Sequence, residues 1–157
     1  MDINEKNTIR ICLIILCGIM FIKVNGQNVD KYKWKNRILI VKTSNENDSK
    51  YKEQLKEFNK SISELEERKL ILFQIVGDKY KTTDYEMLEL NNSWEDLKIR
   101  NNYIIDDTDD FEVVLIGLDG GVKLKKREVL KKEELYNLID RMPMRLEELR
   151  NNKRNGN

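Results

Sequence analysis

A chain of 157 residues, 39% of them apolar, is sized for one domain around one core. It carries 29 basic and 28 acidic residues and no histidine, so no bulk attraction to nucleic acid or anionic lipid is implied. Its two cysteines, Cys12 and Cys17, both precede residue 26, and the rest of the chain can supply no disulfide, thiol catalysis, Cys/His zinc site or Ser-His or Cys-His pair.

Residues 1–26 read as a secretory signal. Lys6 and Arg10 precede an apolar run at 11–22, and Gly26 offers a small residue at which to cut. The run is short of the roughly 20 apolar residues that a membrane span needs; if uncleaved, the segment is the only membrane anchor implied. Cys17 follows Leu16, where a lipidated bacterial cysteine follows a small residue, so a lipoprotein is discounted. Removing three basic and two acidic residues with this segment leaves 131 residues with 26 of each charge. The expected product is exported, periplasmic or extracellular.

In chain order, RILIVK (37–42) is a continuous apolar run of the kind that forms a strand buried on both faces. TSNENDS (43–49) is a turn, with Asp48 or Ser49 capping a helix. Tyr51, Leu55, Phe58, Ile62 and Leu65 recur at helical spacing and define one apolar stripe. KLILFQIVG (69–77) repeats the first strand pattern, and the two strands predict a right-handed parallel βαβ unit. TTDYEMLEL (82–90) and SWEDLKIRNNY (93–103), the second with Ser93 as cap, read as helices. FEVVLIG (111–117) is a further strand, and LDGG (118–121) signals a tight hairpin. VKLKKREVL (122–130) returns as an edge strand whose lysines discourage pairing with another chain. A last helix places Leu135, Leu138, Ile139 and Met142 on one side and stops or kinks at Pro143, before a short RLEELR turn. Residues 27–150 form the domain, and 151–157 are expected to be a disordered tail.

This order predicts an α/β fold, a thioredoxin-like three-layer arrangement with a mixed four-stranded sheet and helices on both faces. Thiol chemistry on such a fold belongs at the start of the helix after the first strand, where a thiolate is stabilised. Here that position reads TSNENDS, and the acidic pair Asp109 and Asp110 stands before the third strand of the pattern where a proline is usual. The redox site is empty of redox residues.

YKWKNRILIV (32–41), Gln54, EERKL (66–70), FEVVLIGLDGGVKL (111–124) and LIDRMPMRLEEL (138–149) together resemble the domain-of-unknown-function family four-one-seven-four. That family is shared by small exported bacterial proteins, secreted sushi-repeat-containing proteins and a coiled-coil-domain-containing matrix protein. Leu118 stands where the family usually has lysine. The resemblance implies a thioredoxin-like, cysteine-independent domain with no established catalytic activity, and adhesion or matrix roles in the animal proteins.

Two motifs carry the candidate site. In DGGVK, Asp119 and Gly120 suit a turn and Gly121 a close approach, while Lys123 with the turn amides can bind an anion. In IDRMPMR, Met142 and Met144 can fill gaps in the core and Arg145 can pair with Asp140; alternatively, Met144 and Arg145 present a partner surface. The basic residues Lys123, Lys125, Lys126, Arg127, Lys131 and Lys132 suit either a solvated edge or a polyanion. DDTDD (106–110) invites calcium but lacks the glycine and glutamate of an EF-hand loop, and no carboxylate pair is singled out by spacing. No cofactor and no metal are implied. The expected function is a non-catalytic binding or scaffolding module for a protein or an envelope polymer. The alternative is an enzyme or small-ligand binder using carboxylates, lysines and the Lys123/Arg145 region. An enzyme would gather Lys123, Arg145 and Asp140 in a pocket; a binding module would present them on an open face.

Overall fold

In the computed structural model, which describes residues 29–85, 89–90, 93–96 and 111–156, the first apolar run becomes strand β1 (Arg37–Thr43) at the centre of the sheet. The signal segment, the acidic run 106–110 and, of the two helices expected between 82 and 103, residues 86–88 and 97–103 lie outside these residues. β1 pairs in parallel with β2 (Leu70–Val76), Arg37 opposite Leu70 and Thr43 opposite Val76. On its other side it pairs antiparallel with β6 (Glu112–Ile116), Ile38 opposite Ile116. β1 is buried on both faces, Leu39 and Val41 on one and Ile38 and Ile40 on the other, which is why residues 38–41 are all apolar.

The connection from β1 to β2 is helical, as expected, but in two pieces. The Asp48 carboxylate accepts from the Tyr51 amide at 2.9 Å and caps α1 (Ser49–Asn59), which buries Tyr51, Gln54 and Phe58 against the sheet. The chain then tightens at Ser61, whose amide donates to the Phe58 carbonyl, and restarts as α2 (Ile62–Glu67). This break corrects the continuous stripe: Leu65 stays buried, but Ile62 is 46% exposed.

After β2 the structure departs from expectation. Gly77 and Asp78 form a two-residue turn, Gly77 at a φ of 56°, and β3 (Lys79–Asp84) runs back antiparallel along β2. Two short strands, β4 (Glu89–Leu90) and β5 (Glu95–Asp96), pair in turn with β3. The helix expected from residue 82 is therefore a strand at 82–84, and the helix expected from Ser93 is a strand at 95–96. Alternating Lys79-Tyr80-Lys81-Thr82-Thr83 behind a Gly-Asp turn is a hairpin signature that outweighs the apolar spacing further along. Among the described residues the sheet accordingly has seven strands rather than four, in the order β4-β3-β2-β1-β6-β7 with β5 also on β3.

The hairpin β6–β7 (β7, Val122–Lys126) forms where the Asp-Gly signal placed it, and β7 is an edge strand, though it ends at Lys126 rather than running to residue 130. Helix α3 (Lys132–Asp140) buries Leu135 and Ile139, with Leu138 and Met142 packed beside them. Pro143 then opens a new helix, α4 (Pro143–Asn155), at the first position, where its fixed φ and missing N–H are harmless. The short RLEELR turn is the front of this 13-residue helix, and residues 151–155, expected to be disordered, are its last turns. No breaker interrupts it before Gly156, and Lys153 and Arg154 suit the negative end of the helix dipole.

Alternation along β1 divides the core. Leu39 and Val41 join Phe58, Leu65, Leu115, Leu130 and Ile139 on the face covered by α1, α2 and α3. Ile38 and Ile40 join Ile71, Phe73, Ile75, Tyr80 and Ile116 on the other. There Phe73 stacks with Tyr80 and takes Tyr32 edge-on at 5.7 Å. Among the buried polar residues, Gln54 donates from its side chain to the Leu130 carbonyl at 2.8 Å and accepts from the Leu130 amide at 2.6 Å, tying α1 to the segment before α3.

Candidate functional site

The GLDGGVK segment folds into a self-clamped turn. Gly120 has a φ of 78°, a conformation that glycine adopts without strain. The Asp119 carboxylate accepts from the Gly121 amide at 3.0 Å and from Lys123 Nζ at 2.7 Å. Lys123 folds back over Gly117, where an added Cβ would meet its Cε at 2.6 Å, so the first glycine of the motif clears the path for the lysine. The lysine and the turn amide together hold the Asp119 carboxyl below the usual carboxylate range.

The MPMR segment faces this turn. Between them lies a hollow of about 280 Å³. Leu118, Met142, Pro143 and Met144 make its apolar walls, while Arg37, Asp119 and Lys123 supply its polar side chains. Met144 is 38% exposed at the rim. Close by, the Trp34 amide donates to the Leu118 carbonyl at 2.7 Å, bringing an indole that is 62% exposed to the same end of the sheet. Trp34 holds a φ of 66°, unusual for a bulky residue. Lys33 beside it approaches Gly120: a Cβ on that glycine would sit 3.4 Å from the lysine Cδ.

Beneath the hollow, three arginines and three carboxylates interlock. Arg145, 2% exposed, binds Glu67 through Nη2 at 2.5 Å, Glu148 through Nη1 at 3.4 Å and Asp140 through Nε at 3.4 Å, and donates to the Glu67 carbonyl at 3.0 Å. Burial works against its charge, but Glu67, Glu148 and Asp140 outweigh it and raise its pKa. Arg68 binds Asp140 at 2.6 Å and lies 4.3 Å over the Tyr136 ring. Arg37, 1% exposed, pairs with Glu148 at 3.2 Å and donates to the Arg68 carbonyl at 3.0 Å, while its buried Nε–H has no acceptor. Burial lowers the Arg37 pKa, with Glu148 opposing.

The candidate residues thus divide. Asp119, Gly121 and Lys123 form the clamped turn around Gly120, and Asp119, Lys123 and Met144 reach the hollow. Arg145 and Asp140 do not line it; they are the ion cluster under α4. An enzyme-like gathering of Lys123, Arg145 and Asp140 in one pocket is therefore not what the fold builds, and neither is an open face carrying all three. Part of the basic run pairs within the chain: Lys126 with Glu134 at 2.5 Å, Lys131 with Glu53 at 2.9 Å, and Lys132 with Ser61 at 3.3 Å. Trp34, Arg37, Glu67, Arg68 and Glu148 were not singled out from the sequence. An arginine opening an otherwise apolar strand was the available signal for Arg37.

Among the described residues, no group of three or more Cys, His, Asp or Glu could hold a metal ion, and no helix is long and apolar enough to cross a membrane. The loop after β1, where redox residues were sought, closes on itself: the Asn45 amide donates to Thr43 Oγ1, and the Asn47 amide to Asn45 Oδ1.

The family described as a domain of unknown function (DUF4174) matches residues 28–148. The chain belongs to this family. Both motifs at the hollow fall inside the DUF4174 match, as do Trp34, Arg37 and all six members of the ion cluster, whereas the last turns of α4 fall beyond it. No curated protein and no solved structure gives a significant match.

Proposed function

We propose that this DUF4174 chain is an exported, non-catalytic binding module on a thioredoxin-like frame, and that the hollow between the β6–β7 turn and the start of α4 is its binding face. The frame reading is supported by the inner strand order β2-β1-β6-β7, with β1 parallel to β2 and the other pairs antiparallel; β3, β4 and β5 are then additions at the β2 edge. Export is supported by Lys6, Arg10 and the apolar run that follows.

The observation that carries the binding reading is convergence. Two motifs well separated in sequence, GLDGGVK at 117–123 and MPM at 142–144, meet around one concavity, flanked by an exposed tryptophan held at positive φ. Exposed aromatic and methionine side chains are what partner surfaces favour. Backbone strain of that kind persists where the surrounding structure enforces it, and it concentrates at functional sites.

The test is site-specific photocrosslinking with residues 27–157, carrying the crosslinker at position 34, at 144 or at Asn47 on the far end of the sheet. One partner captured from both 34 and 144, but not from 47, and lost in a folded Lys123→Glu, Met144→Glu variant supports the reading. Capture from 47 alone sinks it. Arg145 is left untouched, since its replacement would disrupt the ion cluster rather than the surface.

A further inference from the structure

We infer that the hollow receives a single carboxylate carried on an apolar body, either a small free acid or the C-terminus of a peptide. The inference rests on the hollow being the binding face.

It follows from counting donors against acceptors. Arg37 is among the residues lining the hollow, is almost fully buried, and its Nε–H meets no protein acceptor. Leaving a buried donor unpaired destabilises the fold, so an acceptor supplied from outside is energetically favourable. Lys123 has one acceptor, Asp119 Oδ2, and an ammonium keeps donors to spare after one bond. Both Asp119 oxygens are already engaged, one by Lys123 and one by the Gly121 amide, so the one lining carboxylate has little left to offer a cation.

The start of α4 adds to the imbalance. Pro143 has no N–H, Met142 provides no side-chain cap, and Leu146 is the first residue whose amide bonds back into the helix. The positive end of the dipole and the uncapped amides at Met144 and Arg145 therefore lie where Pro143 and Met144 line the hollow. Around these donors the walls are Leu118, Met142, Pro143 and Met144, none with a polar side-chain head. Donors without acceptors specify an anion, and apolar walls specify what carries it. A volume of about 280 Å³ suits one short or aromatic side chain with its acid, not an extended polymer.

The test follows amide shifts in ¹H–¹⁵N spectra of residues 27–157 during titration with phenylacetate, phenylacetamide, acetyl-Gly-Leu-Phe with a free C-terminus, and the same peptide as its amide. The expected result is saturable shifts at Gly117–Lys123 and Met144 with at least one carboxylate, and binding of its amide weaker by about ten-fold or more, as loss of a charged hydrogen bond implies. Lys123→Gln and Arg37→Lys, the second retaining charge but lacking Nε, should each weaken the carboxylate while leaving the amide little changed. Binding by phenylacetate alone assigns the source to small acids, and binding by the free-ended peptide alone assigns it to chain termini. Equal binding of acid and amide, shifts confined to other residues, or no binding by any probe overturns the inference. In those cases a partner still captured from positions 34 and 144 leaves the binding face standing and removes only the carboxylate.

Discussion

The two ends of β1 lie about 20 Å apart and are built on opposite principles. At the Thr43 end the side chains of the turn and of the helix cap are answered within a few residues. Thr43, Asn45 and Asn47 bond one another, Asp48 caps Tyr51, and Lys52 returns to Asn47 at 2.8 Å. At the Arg37 end the partners are remote: Arg37 and Glu148 are separated by 111 residues, Arg145 and Glu67 by 78, Arg68 and Asp140 by 72. A loop that satisfies itself has nothing to offer a ligand. An end assembled from four distant segments holds side chains rigidly, and it leaves an arginine N–H and a helix start unanswered beside a hollow.

The comparison breaks most visibly at Arg145. Arg145→Met should cost about 3 kcal/mol in urea unfolding, because it leaves Glu67, Asp140 and Glu148 crowded without their shared cation. The partial exposure of Glu67 keeps the effect at the low end for a buried pair. A loss below about 1 kcal/mol would mean that the cluster relaxes into solvent like an ordinary surface pair. Gln54 extends the contrast to the face under α1. Gln54→Ala orphans a buried carbonyl and a buried amide of Leu130 at once, and about 2 kcal/mol should be lost, with faster amide exchange at Leu130. By contrast, Asp48→Ala at the self-contained end should cost about 1 kcal/mol, the ordinary price of a helix cap, and should leave probe binding at the hollow unchanged.

This division also explains what could be read before the fold was known. Local chemistry was legible: the cap at Asp48, the Asp-Gly hairpin, the edge lysines of β7 and the two strands buried on both faces follow from neighbouring residues. The β2–β3 hairpin was equally local, since Val76 and Lys79 flank a Gly-Asp pair, but the apolar residues Tyr85, Met87, Leu88 and Leu90 drew the segment towards a helix. Pro143 signals a stop or kink in sequence because proline inside a helical pattern removes a hydrogen bond, whereas at the first position of a new helix, where the fold places it, no bond is lost. The ion cluster was not legible at all. Nothing near Arg37 or Arg145 in sequence names Glu148 or Glu67 as a partner, and a buried arginine looks the same as an exposed one in a chain where 36% of residues are charged. The hollow inherits that blindness, because its walls come from both motifs and from the first residue of β1.

The smallest effect is the sharpest probe of the hollow end. Lys123 and Asp119 form an exposed pair, so Lys123→Met should change stability at neutral pH by less than about 1 kcal/mol. The Asp119 carboxyl, held low first by Lys123 and then by the Gly121 amide, should titrate at higher pH in the variant. The sign is that of a depressed carboxylate: the stabilisation is present above the unfolded value of about 4 and is lost as pH falls through the lower folded value. Wild type and variant should therefore differ at pH 7 and converge in strong acid. If instead the Asp119 titration is unmoved, Lys123 is not clamping the turn, and its ammonium is freer to meet an anion than its contact with Asp119 suggests. A Gly117→Ala companion crowds both partners without removing either charge: its Cβ would sit 2.6 Å from the lysine Cε and 2.9 Å from Asp119 Oδ1, so it should raise the Asp119 titration if the clamp depends on this packing.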